Sequence, residues 1–458
     1  MARTCIICGG ATGSREHIFP AALGGRRTNK GIYCDAHNNG YADLAGILSN
    51  QLEAINALLG VRGDHDTQPH STIVTDEVSG RKVKLSGSKV GLAGPEIVID
   101  TEVDGVRRVT GNFGNERQVQ DWIESERAQG RDVQIVKRQL VEQYASGGNV
   151  RLMLGGPKGL RAIGYVAQTF LAHHFPAIAR SSALDTFKDY TLQKTDGDFV
   201  WWDYEAPLNL PPNTFNFGHR FLIGLDAASG SIYASVSLFS ALHFAILFGH
   251  LENIDAQTVI VDIDPLAEHP PNDIQERKEH SALAVVTLPD NLTGSLSEAT
   301  SGGRAQQLFM ELLARIEDRN RTKDATAILG QLQAAGQMDA VQRRELFSTV
   351  LEEYSQRILN LMRLVIEGAK KSNPALNRLA PLFDPLVTFD PRSANGLSNE
   401  ATAALGSARQ ALLKQMLEDF DAGKLDADRI AMLIGGGPGA FIVGRAILDP
   451  VISTLPER

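Results

Sequence analysis

All three cysteines of this 458-residue chain fall within its first 34 positions, as Cys5, Cys8 and Cys34. An odd number of thiols confined to one end does not build a disulfide framework. Cys5-Ile6-Ile7-Cys8 forms a CxxC knuckle, and Cys34-Asp35-Ala36-His37 forms a CxxH counterpart, with 25 residues between the two. Two such pairs supply the four soft or borderline ligands that a closed tetrahedral zinc site takes. A redox role for the CxxC pair would need a βαβ setting, which the neighbouring residues do not provide. Residues 1–40 are rich in Gly, His and Asn and poor in apolar side chains, so a module built from them needs a metal to hold it together. Cys5, Cys8, Cys34 and His37 are therefore the expected ligands of a structural Zn²⁺.

Between the knuckles lies Arg15-Glu16-His17-Ile18-Phe19-Pro20, followed by Leu23-Gly24-Gly25 and then Asn29; Asn38-Asn39 directly follow His37. In these residues the chain resembles the HNH endonuclease superfamily, in particular the zinc-knuckle branch with an EHIxPxxLGG core. The resemblance implies a ββα-metal finger in which Glu16-His17 lie on the first strand, Asn29 in the connecting loop and Asn38 on the following helix. Asn stands at the last position where many members have His, an HNN variant. It further implies metal-dependent hydrolysis of DNA phosphodiester bonds. His17 would be the general base, since histidine ordinarily titrates near neutral pH. Glu16 and Asn38 would offer hard oxygens to a catalytic Mg²⁺ or Mn²⁺. Asn29 would orient the His17 ring or its loop, although an Asn before Lys30-Gly31 also makes a turn. Asn38 can equally cap a helix, and Asn39 and Asp43 compete for its role at the metal. Arg15, Arg26, Arg27 and Lys30 are candidates for phosphate contacts or for a solvated face.

The net charge of −9 argues against a protein that coats nucleic acid with its whole surface. Residues 1–50 carry five Lys/Arg against three acids, residues 301–458 are balanced, and residues 51–300 hold −11. A phosphate partner is thus expected at the N-terminal module.

The expected fold class is α+β, in three parts: an HNH module at 1–60, a mixed α/β region at 61–300 and a helical region at 301–458. Helices are expected at Tyr41–Leu59, Glu116–Ala128, Gly159–His174, Asp185–Tyr190, Ala305–Arg319, Ala325–Ala335, Ala340–Ala369, Ala401–Asp421 and Ala427–Ile434. Strands are expected in hairpins between Ser71 and Gly111, and at Asp132–Val136, Phe221–Leu225, Ile232–Leu238 and Thr258–Asp264. Asp64-His65-Asp66 reads as a polar loop, and Trp201-Trp202 as core anchors or a platform for a base. Gly155–Gly159 lacks the phosphate-loop layout and reads as a turn and helix cap, and Gly435–Gly439, between two apolar segments, reads as a loop.

No run of about 18 apolar residues suggests a membrane partner, and the N-terminus lacks a signal-peptide layout, so a cytoplasmic location is expected. The expected function is a regulated bacterial DNA endonuclease, by analogy an effector such as those of anti-phage defence. Its larger part would sense a small-molecule activator or bind a regulatory protein, and oligomers are compatible with this. The alternative is a zinc-knuckle module that binds nucleic acid or protein without cleavage.

Overall fold

The computed structural model describes residues 4–453 apart from 65–67, 88, 104–105, 138–144, 147, 150–154, 205–211, 268–273, 280–302, 373–378, 391 and 394. The fold is mixed α+β, in two compact units: residues 1–72, 85–88 and 150–316 form the first, and residues 73–84, 89–149 and 317–458 the second.

The first unit opens with β1 (Glu16–His17), paired antiparallel to β2 (Thr28–Asn29) so that Glu16 faces Asn29 and His17 faces Thr28. Helix α1 (Asp35–Gly40) and helix α2 (Ala42–Leu59) follow. In α2, Leu44, Leu48, Leu52, Ile55 and Leu59 are buried at helical spacing, and Gly60 ends the helix in the left-handed region at φ 69°.

Two further segments, β3 (Thr72–Asp76) and β4 (Lys82–Ser86), lead into β5 (Lys89–Leu92), the hairpin β6 (Glu96–Val103) and β7 (Val106–Asn112), α3 (Glu116–Ala128) and β8 (Gly148–Asn149). Strands β5-β4-β3-β8 form a four-stranded sheet, and β6 pairs with β7. The Gly-punctuated Thr/Val/Ile runs thus form hairpins as expected. Residues 132–136 have no regular structure, a correction to the expected strand. That run has no paired neighbour among the described residues, and a lone strand leaves its backbone groups unsatisfied.

Returning to the first unit, α4 (Gly156–His174) is buried on nearly every side from Leu160 to Ala172, as befits a central core helix. It lies against a six-stranded antiparallel sheet of order β14-β13-β10-β11-β12-β9. The strands are β9 (Val200–Trp202), β10 (His219–Leu225), β11 (Ser231–Leu238), β12 (Leu242–His250), β13 (Gln257–Ile263) and β14 (Ile274–Glu279). On one face a cross-strand row of Phe244, Val236, Phe221 and Val261 meets the helix. Phe221 stacks on Phe170 of α4 with ring centroids 3.9 Å apart, and its other neighbour is Phe19 at 5.4 Å. The opposite face carries a polar row of His243, Ser237, Arg220 and Asp262. There Arg220 grips the Asp262 carboxylate at 2.6 and 2.8 Å, and Thr214 donates to it as well.

Three of these six strands match the expected ones. Trp201-Trp202 lie buried in β9 and are not available to stack a base. Sequence periodicity missed β9, β12 and β14. The reason for β12 is that its buried run LHFAILF has no alternation to mark it as a strand.

The helices of the second unit include, besides α3, residues 317–332 of Arg304–Leu332, Ala340–Glu353, Ser355–Ser372, Asn399–Asp421, Ala427–Gly435 and Pro438–Ile452, with a core that includes Phe347, Met362, Leu412 and Val443. The expected helix Ala340–Ala369 is two helices broken at Tyr354, whose φ and ψ of −104° and 18° leave the helical region. The two expected helices Ala305–Arg319 and Ala325–Ala335 are joined as Arg304–Leu332. Residues 427–452 are long and apolar enough by composition to cross a membrane, but Gly436 and Gly437 split them into two helices.

Asp76 holds a turn in the second unit. Its carboxylate accepts from the Ser79 amide and hydroxyl and from the Ser146 amide and hydroxyl, at 2.6–2.9 Å. Burial alone would raise its pKa, yet these donors outweigh it and bring the value down to about 2.

Phe221→Ala should destabilise the first unit by about 3–5 kcal/mol in chemical denaturation, because it empties the stack between Phe170 and Phe19. A carboxyl depressed by folding contributes stability above its unfolded value of about 4 and loses it as pH falls through the folded value. Asp76→Asn should therefore lower the stability of the second unit at pH 7, and its deficit relative to wild type should shrink between about pH 4 and 2.

Candidate metal centre and adjoining ribbon

The first knuckle is a tight turn in which Cys5 N–H bonds Gly10 O at 2.8 Å and Gly9 N–H bonds Cys5 O at 3.0 Å. The second is the start of α1: Cys34 is its N-cap, so His37 rides on the first turn. The donor atoms of Cys5, Cys8, Cys34 and His37 all lie within 4.8 Å of one another. A tetrahedral zinc with Zn–S about 2.3 Å and Zn–N about 2.0–2.1 Å requires S···S of about 3.8 Å and S···N of about 3.5 Å. Here Cys8 Sγ–Cys34 Sγ is 3.9 Å and Cys5 Sγ–His37 Nδ1 is 3.6 Å, while Cys34 Sγ–His37 Nδ1 is tighter at 3.1 Å.

The protonation chemistry is divided: Cys5 and His37 are shifted toward their ligating forms, whereas the Cys8 thiol, despite the Gly10 amide, is raised by burial and by the Cys5 and Cys34 sulfurs. Burial raises the Cys5 thiol, but the backbone amides of Cys8, Cys34 and Ile7 outweigh it and leave the pKa below the ordinary value. Burial, helped by Lys194, lowers His37, which favours the neutral ring that ligates. The cluster can hold a structural metal such as zinc.

The finger takes its core from its surroundings. Ile6, Ile18, Phe19, Leu23, Ile32 and Tyr33 are buried in the same cluster as α4 and the sheet. Arg180 donates to Thr4 O and Gly31 O, tying both arms of the finger to the segment after α4. Gly24 adopts φ 87° at the turn between the strands, and a Cβ on Gly25 would sit 1.9 Å from Phe19 O, which explains the glycine pair. A buried group of Tyr33, Tyr41 and Tyr165 lies beneath, where Gln168 Nε2 donates to the Tyr33 and Tyr41 hydroxyls, each at 3.2 Å.

The expected catalytic residues occupy distinct surroundings. Glu16 is largely buried and accepts a hydrogen bond from the Tyr165 hydroxyl. Burial pushes its carboxyl above the ordinary value despite that bond, the nearby His17 and the Asn38 amide within hydrogen-bonding reach. Asn38 Oδ1 is buried with no hydrogen-bond partner among the described residues. His17 Nε2 lies 3.2 Å from Asp64 Oδ2, both side chains being mostly shielded, 23% and 25% exposed.

Asn29 is opposite Glu16 in the ribbon, and its side chain serves two other groups. Its Oδ1 accepts from Gly31 N–H at 2.7 Å, making the turn, and its amide meets His173 Nδ1 at 2.9 Å. His174 is pushed down to about 4 by burial and by His173. Of the basic residues, Arg15, Arg27 and Lys30 are exposed, Arg27 standing 4.0 Å from Glu276, while Arg26 is half-buried and donates to Ala267 O. Asn39 and Asp43 are exposed.

Asp64, Tyr165 and His173 were the participants that sequence reasoning did not assign to the site. Asp64 stood out only as part of a polar loop whose His65 and Asp66 lie outside the described residues. Tyr165 carried no signal beyond its place in an apolar helix. Comparison with family models, with curated proteins and with solved structures finds no match.

Metal analysis of the purified chain should return about one zinc per chain, as a single four-ligand site requires. Cys34→Ser should lose that zinc and expose the finger to proteolysis while the helical second unit keeps its circular-dichroism signal. A metal-free chain with an intact, protease-resistant finger would contradict the assignment.

Proposed function

We propose that the N-terminal finger is the catalytic module of a metal-dependent endonuclease of the HNH type, acting on DNA. The observation that carries this reading is the order of elements around the Cys/His cluster: a two-stranded ribbon bearing Glu16-His17 on its first strand, then a short helix bearing Asn38 immediately after the ligand His37. The buried Asn38 Oδ1, without a partner and beside the Glu16 carboxylate, adds to it, since a buried acceptor left unpaired is costly unless something binds it.

In this reading His17 takes a proton from the attacking water as the water oxygen bonds to phosphorus. The bond from phosphorus to the sugar oxygen breaks, and its electron pair leaves with that oxygen. Glu16 and Asn38 are the residues that would hold a divalent cation, their hard oxygens suiting Mg²⁺ or Mn²⁺. Such a cation, when bound, polarises the scissile phosphate and stabilises the leaving oxygen. Arg15, Arg27 and Lys30 are exposed on the same small module and suit contacts to the phosphates flanking the cut. The acidic 51–300 stretch adds no attraction, which suits a nuclease whose action is regulated or partner-delivered.

The bond from Tyr165 to Glu16 favours a second reading, a zinc-stapled binding module without cleavage, because it engages one carboxylate oxygen that would otherwise be open to a cation. A plasmid-nicking assay with Mg²⁺ and with Mn²⁺ separates the two. Cleavage by wild type that falls about 10²–10⁴-fold in His17→Ala supports the nuclease. Equal inertness of both proteins on single- and double-stranded DNA, with nucleic-acid binding retained, supports the binding module instead.

A further inference from the structure

We infer that Asp64 is a positioning residue for His17, fixing which ring nitrogen carries the proton and so which one receives it from water. This rests on the nuclease reading above.

The two residues are 47 positions apart and meet through a defined route. Helix α2 ends at Gly60, whose left-handed backbone turns the chain back. Val61 is then buried, held by its own N–H to Asn56 O at 2.9 Å and by His70 N–H to its carbonyl at 2.8 Å. Asn56 in turn donates to Ala22 O, in the turn that follows β1. The loop bearing Asp64 is thereby anchored to the strand bearing His17, and the carboxylate arrives 3.2 Å from Nε2.

The chemistry follows from what each partner can do. A carboxylate oxygen only accepts, so the bond requires the proton on Nε2. With the proton there, the ring's lone pair lies on Nδ1, and that atom is the base. Holding the ring by a carboxylate also fixes its plane. Asp64 touches neither water nor phosphate in this scheme. It acts through His17.

The substitution Asp64→Asn separates this role from simple packing. Asp64→Ala removes the acceptor and leaves the ring unanchored. Asp64→Asn keeps the shape but adds an amide that can donate to Nε2, which moves the ring proton to Nδ1 and disables the base.

The test uses the full-length protein in the nicking assay, together with ¹⁵N spectra of histidine-labelled protein in which the His17 ring is assigned by its loss in His17→Ala. We expect wild type to show the Nε2-protonated form, Asp64→Ala to lose about tenfold or more in kcat with KM held, and Asp64→Asn to lose at least as much despite being closer in shape. Thermal melts of all variants should coincide with wild type. Wild-type cleavage that depends on His17 but is unchanged in both Asp64 variants overturns the positioning role and leaves the nuclease intact. A His17 ring protonated on Nδ1 in wild type overturns it as well. No His17-dependent cleavage by wild type overturns the nuclease reading, and the catalytic role of Asp64 with it.

Discussion

The N-terminal ribbon is too short and too polar to bury a core of its own, and the first unit is organised around how that deficit is met. The two strands have two residues each, far below what an isolated hairpin needs for stability. One support is the cluster of Cys5, Cys8, Cys34 and His37, which closes the loop from the first knuckle to α1. The other is the core built on α4: Phe19 packs against Phe221 of the sheet, and Tyr33 and Tyr41 pack against Tyr165 and Gln168 of the helix. Because α4 is buried all round, the finger and the sheet share one continuous apolar cluster, and any movement of the ribbon must disturb that packing.

This arrangement explains the chemistry around the ribbon. Adjacent residues on a strand point to opposite faces. Glu16 accordingly turns inward to Tyr165 and Asn38, and His17 turns outward to Asp64. The inward residue is desolvated and its carboxyl raised, while the outward one remains partly open to solvent. Asn29, on the inward side of the ribbon with Glu16, bonds instead to Gly31 and His173, so its contribution is to the turn and to the seating of α4.

Much of the local structure was legible. The knuckles were readable because metal ligation depends on residue type and spacing over a few positions. Helices α2, α3 and α4 were readable because their apolar positions recur at helical spacing over several turns. The strands β9, β12 and β14 were not. Trp201-Trp202 sit in a strand of three residues, too short to show a period, and β12 is apolar on both faces, so alternation is lost. The helix break at Tyr354 was hidden because no Gly or Pro marks it; the apolar pattern runs on from Phe347 to Ile358 across the change of direction.

By itself the sequence determined the four Cys and His side chains that cluster as a possible metal site and the α+β class of the fold, since each rests on residue type and short-range spacing. Only the tertiary structure decided who the partners of Glu16 and His17 are. Asp64 is brought to His17 by a glycine-ended helix, Tyr165 to Glu16 by a helix 149 residues away, and residues 73–84 and 89–149 are grouped with 317–458. These pairings join segments far apart in the chain, and they are set by which apolar faces bury one another. Periodicity shows that a face exists and does not show what it meets.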